Sequence, residues 1–252
     1  MFKLTIITVV LNDEKKLEKT IKSVNSQTFS NFEHLVIDGG SIDKTKLLIK
    51  KNAKKNTKFI FKKDKGIYYA MNKGIQKAHG DWIFFLNAGD TFVNHRTLKT
   101  IFKNQSLKGD IFFGNIYKNY KYFKKKWISK KITKNDFLMT FGHQSVFVKK
   151  QLYKKYYFSN DYRIIGDFVF FYNLYKKNYM SHKIKLYITV IDTDGISNKK
   201  RILTLFETYL FFLKQKNFLI IIKILIYGIY ILLTNFIKFF LTKKMIRYFQ
   251  KK

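Results

Sequence analysis

The chain contains no cysteine and no proline, and it has only 16 acidic residues against 50 lysines and arginines. Without cysteine it can form neither a disulfide-stapled module nor a thiolate metal site, and it has no cysteine nucleophile. Without proline it has no proline-rich linker. Its five histidines are scattered along the sequence without zinc-type spacing, at positions 34, 79, 95, 143 and 182.

The composition favours a folded domain with excess positive charge. Hydrophobic residues make up 46% and aromatic residues 18% of the 252 residues, enough for one large domain, alone or with an appendage. The net charge of +34 has two explanations that the sequence leaves open: AT-rich codons, which enrich lysine, or a polyanionic partner. The first apolar run is too short for a signal peptide, so we expect the body of the protein in the cytoplasm.

Short apolar runs alternate with helical patterns over the first ninety residues. Four runs lack helical periodicity and are typical of strands buried on both faces; they cover residues 4–10, 34–37, 59–61 and 82–86. Three helical patterns separate them, at residues 17–24, 44–53 and 67–78. This alternation predicts an α/β fold with a doubly wound, mainly parallel sheet.

Ligands of such sheets bind beyond the carboxyl ends of the strands. The first strand is followed by neither a Gly-x-Gly-x-x-Gly fingerprint nor a Walker motif, which excludes dinucleotide-binding dehydrogenases and P-loop kinases. Acids on glycine-bearing turns follow two other strands: Asp38 before Gly39, and Asp90 after Gly89. Such a carboxylate can accept from a base or ribose, or hold a cation against a diphosphate. Asp38 could equally shape its turn or cap the next helix.

Seven short motifs resemble the nucleotide-sugar-binding half of an inverting family 2 glycosyltransferase of the GT-A fold. They are residues 7–12 (ITVVLN), 21–24 (IKSV) with Gln27, 36–45 (VIDGGSIDKT), 64–68 (DKGIY), 70–74 (AMNKG), 78–83 (AHGDWI) and 85–90 (FLNAGD). Their order and spacing make the resemblance specific over about the first hundred residues. Within the family, the resemblance is to bacterial enzymes that build capsule, O-antigen or similar surface polysaccharide.

This resemblance implies a nucleotide-sugar donor, most often UDP-linked. The donor-side residues that it implies are Thr8, Val9, Asn12, Asp38, Gly39, Asp64, Gly66, Asn72 and Asn87. Thr8, Val9 and Asn12 would line the nucleotide pocket. Asp38 would recognise the base, and Asp64 would lie near the ribose and pyrophosphate.

The resemblance also implies a divalent cation, Mg²⁺ or Mn²⁺. Asp90 would be the last acid of the family's Asp-x-Asp metal motif. Many relatives carry Asp-Ala-Asp-Asp where this chain has Asn87, Ala88, Gly89 and Asp90, so one carboxylate is left. A cation held by one carboxylate takes the rest of its ligands from substrate phosphate and water.

An inverting transfer needs a carboxylate that takes the proton of the acceptor hydroxyl as its oxygen attacks the anomeric carbon. The second half of the chain offers Asp110, Asp136, Asp161, Asp167, Asp192 and Asp194. Asp167 follows Gly166 and opens an apolar helix, where it matches the family's acid before a hydrophobic helix. We therefore predict that Asp167 is the general base; the alternative is an ordinary helix N-cap.

Two further segments resemble parts of the family. His143, in residues 141–145 (FGHQS) before an apolar run, could contact the pyrophosphate or the acceptor, or could be structural. Residues 194–197 (DGIS) resemble a late turn that could close over the donor.

Residues 118–134 contain eight lysines and no acid, interleaved with aromatic residues. This mixture could bind single-stranded nucleic acid or an anionic membrane. It is also typical of an edge strand with a lysine-rich solvent face, which prevents edge-to-edge pairing. We favour the edge strand or membrane contact, because no RNA-binding module accompanies these residues.

Residues 218–241 form an apolar stretch, interrupted by Lys223 and Lys238, that as a helix could cross a bilayer. These lysines fall on one stripe with Tyr227, Tyr230 and Thr234, which favours a helix lying in the membrane interface with snorkelling lysines. Spanning, or packing against a partner in an oligomer, stays open.

The sequence thus predicts a GT-A domain with a C-terminal helical appendage that associates with membrane. Residues 1–115 would form the nucleotide-sugar-binding half, 116–200 the acceptor and catalytic half, and 201–252 the tail. The enzyme would transfer a sugar to a lipid-linked glycan acceptor while peripheral on the inner face of the cell membrane. The alternative is a non-catalytic basic protein that binds an anionic membrane or nucleic acid.

Overall fold

A computed structural model of the chain describes residues 3–104, 109–120, 122–179, 181–193 and 200–240. Within these residues the strands are β1 (Leu4–Val10), β2 (Phe32–Asp38), β3 (Thr57–Phe61), β4 (Trp82–Phe85), β5 (Thr91–Phe92), β6 (Ile111–Tyr120), β7 (Phe123–Trp127), β8 (Val146–Lys149) and β9 (Ser181–Asp192). The helices are α1 (Glu14–Asn25), α2 (Thr45–Asn52), α3 (Ile67–Lys77), α4 (Thr97–Asn104), α5 (Lys150–Lys155), α6 (Gly166–Lys176), α7 (Arg201–Lys214) and α8 (Phe218–Phe240). A single 3-10 turn, His143–Ser145, precedes β8.

The described strands form one sheet in the order β3-β2-β1-β4-β8-β6-β9-β5, with β7 paired to β6. The first four are parallel, which confirms the predicted strand–helix alternation. Beyond β4 the sheet is mixed, because β8 runs antiparallel between β4 and β6. The α/β prediction is therefore confirmed, with the strictly parallel part confined to the first half of the chain.

Two helical layers cover the sheet because alternate residues of each buried strand point to opposite faces. On one face, Ile7, Val9 and Ile37 pack in the core with residues of α3, α5, α6, α7 and α8. On the other face, Val10 and Val36 pack against α1 and α2. Every residue of β1 and β2 is buried, as the absence of polar alternation in these strands predicts.

β7 is an edge strand, and the lysines in the middle of it are exposed. This confirms the edge-strand interpretation for the centre of the lysine-rich residues 118–134.

Helices α7 and α8 form an antiparallel hairpin over the face of the sheet that carries α6. Phe211 and Phe212 of α7 are buried in the main core, where they contact the ring of Phe168 in α6. Along α8, Ile220 and Ile231 are buried and the opposite side of the helix is exposed. The C-terminal helices are thus integral to the core; the division at residues 115 and 200 stays a prediction.

Candidate active site

Asp38 ends β2 at the carboxyl edge of the parallel strands, where its side chain is buried. Oδ1 accepts hydrogen bonds from the amides of Gly40 (2.9 Å) and Ser41 (2.7 Å). Oδ2 is buried and has no hydrogen-bond partner among the described residues. Asp38 therefore shapes its turn, as the alternative prediction had it, and still presents one buried acceptor oxygen, which carries a desolvation cost until a donor reaches it.

Asp64 lies beside the same turn, since its amide donates to the carbonyl of Gly39 (3.1 Å). The Nζ of Lys73 lies 2.5 Å from Asp64 Oδ1, and Asp64 Oδ2 is buried and unpartnered among the described residues. A Cβ built on Gly39 would lie 3.7 Å from this oxygen. Glycine thus keeps the space open between two turns that each hold a free carboxylate oxygen.

Asn12 joins the turn after β1 to the turn after β2. Its backbone has a positive φ of 51°, its amide donates to the Ser41 hydroxyl (2.8 Å), and its side-chain oxygen accepts from the Ile42 amide (2.9 Å). Asparagine tolerates this left-handed conformation better than most residues. Asn12 therefore ties the turn after β1 to the turn after β2.

Three other predicted donor residues lie inside the protein or at a helix start. The Thr8 hydroxyl is fully buried, donates to the Leu86 carbonyl (2.8 Å) and lies 2.9 Å from Nε2 of His34. Both polar atoms of the Asn72 side chain bond the backbone of Phe158. Gly66 immediately precedes α3. For Thr8 and Asn72 the structure provides structural roles, while their predicted substrate contacts, like that of the buried Val9, stay predictions.

Asp90 lies in the turn after β4, and its side chain is buried. Oδ1 accepts from the amide of Asp192 (3.0 Å), and the backbone carbonyl of Asp90 accepts from the Thr20 hydroxyl (2.8 Å). Burial raises the pKa of Asp90 to about 7, although the Asp192 amide, the His143 charge and the Gln144 side chain all act to lower it. A carboxyl poised in this way becomes an anion readily when a cation arrives.

Asp167 and His143 form a close pair between α6 and the 3-10 turn before β8. Nδ1 of His143 lies 2.8 Å from Oδ2 of Asp167, and both side chains are largely buried. Burial alone would raise the pKa of Asp167, but the hydrogen bond and charge of His143, with the Phe168 amide and the Tyr68 hydroxyl, outweigh it and lower the pKa. Asp167 is therefore an ionised carboxylate at neutral pH.

Asn87 connects this pair to the turn of Asp90. Nδ2 of Asn87 lies 3.1 Å from Nε2 of His143, whose other ring nitrogen faces Asp167. The structure thus brings four predicted site residues together: Asn87, Asp90, His143 and Asp167. Asp38 and Asp64 lie at the same edge of the sheet, because β1, β2 and β4 are neighbouring parallel strands.

The other acids considered as bases lie elsewhere or serve the site indirectly. Asp110 pairs with Lys149, and the carboxylates of Asp136 and Asp161 bond the side chains of nearby Thr133 and Ser159. The amide of Asp192 donates to the Asp90 side chain, while the carboxylate of Asp192 lies 3.3 Å from Lys16 Nζ. Asp194 and the turn at 194–197 lie outside the described residues.

A family model described as "Glycosyl transferase family 2" matches residues 5–182, which include Asp38, Asp64, Asp90 and the pair of His143 and Asp167. The chain belongs to glycosyl transferase family 2. It is an enzyme of this family, as the seven motifs predicted.

Curated relatives of this glycosyltransferase match it over part of their length. An uncharacterized glycosyltransferase of Mycobacterium tuberculosis is 38% identical over 89 residues, which cover 35% of this chain and 34% of the relative. A PGL/p-HBAD biosynthesis glycosyltransferase of Mycobacterium bovis is 31% identical over 117 residues, covering 44% of this chain and 46% of the relative. The aligned part is thus less than half of either relative.

Solved structures share the fold of this glycosyltransferase. S. aureus TarS 1-349 in complex with UDP-GlcNAc superposes with a TM-score of 0.66 at 17% identity, covering 83% of this chain and 66% of the TarS 1-349 chain. A mannosyltransferase from Pyrobaculum calidifontis, in complex with GDP-Man and Mn2+, gives 0.64 at 13% identity, covering 84% and 64%. These similarities confirm the GT-A fold.

The described residues supply only part of the ligand set that a divalent cation needs. Within the described residues, no three His, Asp or Glu side chains come together in a group that could hold a metal ion. Asp90 provides one buried carboxylate, and a Lys16 ammonium lies on the neighbouring Asp192 carboxylate. Asp90 would therefore hold Mg²⁺ or Mn²⁺ together with the diphosphate of the donor rather than alone.

Sequence reasoning missed two residues that contact Asp167 or prepare its position. The Tyr68 hydroxyl lies 2.5 Å from the Ile164 carbonyl and 3.2 Å from Asp167 Oδ1. Tyr68 stands in the DKGIY motif, which was the signal that could have identified it. Glu207 bonds the amides just before α6, and nothing in its sequence surroundings indicated this.

Proposed function

We propose that this protein transfers a sugar from a nucleotide-diphospho-sugar, with UDP as the nucleotide, to a lipid-linked glycan acceptor, with inversion at the anomeric carbon. The observation that supports it most is the contact of the buried Asp167 carboxylate with His143, beside the turn of Asn87 and Asp90. In such a transfer the group that needs a base is the acceptor hydroxyl, whose proton must be removed. TarS, which binds UDP-GlcNAc, has the same fold.

The donor would occupy the carboxyl edge of β1, β2 and β4. The free Oδ2 of Asp38 would accept the imide N–H of uracil, and the free Oδ2 of Asp64 would accept a ribose hydroxyl. Both oxygens are buried and unpartnered in the described structure, so a ligand donor would remove a desolvation cost at each. The diphosphate would lie towards Asp90.

In the proposed reaction, the acceptor oxygen forms a bond to the anomeric carbon as the bond from that carbon to the diphosphate oxygen breaks. The acceptor hydroxyl proton passes to the carboxylate of Asp167, and the nucleoside diphosphate leaves. A cation, when bound by Asp90, would stabilise the charge on the leaving diphosphate. His143 holds Oδ2 of Asp167 through Nδ1, which fixes the orientation of the carboxylate.

The exposed side of α8 supports a membrane-bound setting for this reaction. Residues 218–237 of the helix are long and apolar enough to cross a bilayer, and only 22% of its most apolar window is buried. Ile222, Ile226, Ile229 and Leu233 are more than half exposed and form a continuous apolar face. The net charge of +34 complements an acidic leaflet.

We further propose that α8 lies in the membrane interface on the cytoplasmic side. Its opposite face is buried against the protein from Ile220 to Ile231, a length of about 16 Å at 1.5 Å per residue. Tyr227, part of the predicted polar stripe, packs against Phe137 of the body. A helix attached along its side in this way would set the catalytic domain flat on the membrane, near a lipid-linked acceptor.

Donor binding tests the proposed function. We expect UDP-sugars with Mn²⁺ to raise the melting temperature of the purified protein more than GDP- or dTDP-sugars do. Asp90→Asn should remove the Mn²⁺-dependent part of this shift and leave the metal-free part. If no UDP-, GDP- or dTDP-sugar changes the melting temperature, with or without Mn²⁺, the proposal is wrong.

A further inference from the structure

Residues 163–165 directly precede α6, the helix that carries Asp167. No side chain of α6 accepts a hydrogen bond from their amides. Ile165 occupies the N-cap position and offers no side-chain acceptor. An unpaired amide would be costly at Ile165, which is buried. The question is therefore which group takes the amides of residues 163–165.

The carboxylate of Glu207, in α7, accepts hydrogen bonds from all three amides. Oε1 of Glu207 accepts from the amide of Arg163 (2.9 Å), and Oε2 accepts from the amides of Ile164 (3.0 Å) and Ile165 (3.2 Å). Glu207 is 8% exposed in the middle of a helix whose buried residues pack on α6. Bonds from neutral amides to an ionised acceptor are about twice as strong as those to a neutral acceptor.

The same segment is held from the opposite side by α3. The Ile164 carbonyl accepts from the Tyr68 hydroxyl, so both polar groups of the Ile164 backbone are bound by side chains far away in the sequence. Gly166 then lies against the Tyr68 ring, where a Cβ would be only 2.7 Å from Cε2. Asp167 is the next residue.

We propose that Glu207 is a positioning residue for Asp167. By accepting hydrogen bonds from the amides of residues 163–165, it fixes the start of α6 and so the direction in which the Asp167 side chain projects from the helix. The inference rests on the proposed role of Asp167 as the base. The family model matches residues 5–182, and Glu207 lies beyond them. The proposal therefore assigns part of the active-site framework to the C-terminal helices.

Glu33 offers a matched control for the loss of a buried carboxylate. It is fully buried, and it also accepts three hydrogen bonds, from the Thr5 hydroxyl and from the amide and ring of His79. It lies near the amino end of β2, whereas Asp38 lies at the carboxyl end of the same strand. Glu33→Gln should therefore cost stability without reaching the active site.

The experiment compares Glu207→Gln, Glu33→Gln and the unaltered protein at a temperature well below the melting points of all three. Glutamine keeps the shape but replaces one acceptor oxygen by a donor group facing an amide. We expect kcat of Glu207→Gln to fall roughly 10- to 100-fold, because small displacements of a reacting group have effects of this size. We expect its affinity for UDP, measured by calorimetry, to stay within about twofold, and Glu33→Gln to keep both values.

Hydrogen exchange gives a second readout that does not need turnover. Amide exchange in the peptide covering residues 163–168 should accelerate in Glu207→Gln and not in Glu33→Gln. The proposal is overturned if kcat per UDP-binding site is unchanged in Glu207→Gln, or if exchange in this peptide does not accelerate. A failure of the proposed function looks different: Asp167→Asn would then keep its turnover while Glu207→Gln still loosened the segment.

Discussion

His143 and Asp167 come from elements 24 residues apart in sequence, yet Nδ1 of the imidazole lies 2.8 Å from Oδ2 of the carboxylate. This contact does more than hold two side chains together. It offsets the effect of burial on Asp167, so the carboxylate keeps its negative charge inside the protein. The other ring nitrogen faces Asn87, which places the pair next to the turn of Asp90.

Replacing the imidazole should therefore weaken the base. In His143→Gln we expect the pKa of Asp167 to rise and kcat to fall by about 10²-fold, at the lower end of typical general-base effects. The acid limb of the rate profile should move to higher pH, since a raised pKa leaves less carboxylate at a given pH. The control is His95→Gln, which alters an exposed histidine far along the chain. An unchanged acid limb in His143→Gln would contradict this account.

Gly166 should not tolerate a side chain. Because a Cβ there would lie 2.7 Å from the buried Tyr68 ring, Gly166→Ala should lower the free energy of unfolding by roughly 1–3 kcal/mol and displace Asp167. Gly228→Ala is the matched control in a helix, since its Cβ would meet only Leu205 Cδ1 at 3.9 Å. That change should be neutral or stabilising by up to about 1 kcal/mol. Equal stabilities of the two variants, measured by urea unfolding, would speak against the packing described for Gly166.

The first half of the fold was predictable because its signals are local. Buried β-branched runs such as Leu4–Val10 indicate strands by themselves, and the cap of α1 is local too, because the Asp13 side chain accepts from the Lys16 amide. The same holds for Asp38, Asp90 and Asp167, which stand directly at element ends. Placement of β8 between β4 and β6 was not predictable, because it depends on pairing between residues far apart in sequence.

The contacts of Tyr68 and Glu207 were hidden for a similar reason. Each bonds the backbone of residues 163–165 from a distant helix, and a backbone amide leaves no mark in the sequence. Thr8 shows the converse: its place in a motif predicted a nucleotide contact, which stays a prediction, but did not reveal that its hydroxyl is buried beside His34 and the Leu86 carbonyl. A motif records which residue is present and not which of its atoms are already bonded.

His34 should make the protein sensitive to acid. Burial lowers the pKa of His34 to about 3, while the unfolded chain binds the proton near pH 6.5. At His34 the unfolded state therefore binds more protons between these values, so the contribution of His34 to stability is lost as the pH falls from 6.5 towards 3, by up to about 5 kcal/mol. The raised pKa of Asp90 acts in the opposite direction below pH 7, so the effect of His34 is read from the difference between the two proteins. His34→Gln should remove most of this slope, because glutamine can donate to Thr8 without titrating. The check is urea unfolding at several pH values; equal slopes in both proteins would refute the assignment.

Membrane binding should depend on the exposed face of α8. Changing Ile226 and Leu233 together to aspartate alters two side chains that are 63% and 57% exposed, so the fold should persist. We expect this variant to lose most of its binding to vesicles containing anionic lipid, since apolar burial and charge attraction act together there. The control is Ile42→Asp, at a 93% exposed position in the turn after β2. Unchanged vesicle binding of the α8 variant in a co-sedimentation assay would exclude this face as the anchor.

The central claim is that Asp167 takes the acceptor proton in a cleft that binds a nucleotide sugar independently of it. The most direct measurement is the turnover of Asp167→Asn beside its affinity for the UDP-sugar donor. The account predicts a loss of about 10²- to 10⁴-fold in kcat with donor affinity retained. Turnover close to that of the unaltered protein, or loss of donor binding in parallel with turnover, would contradict it.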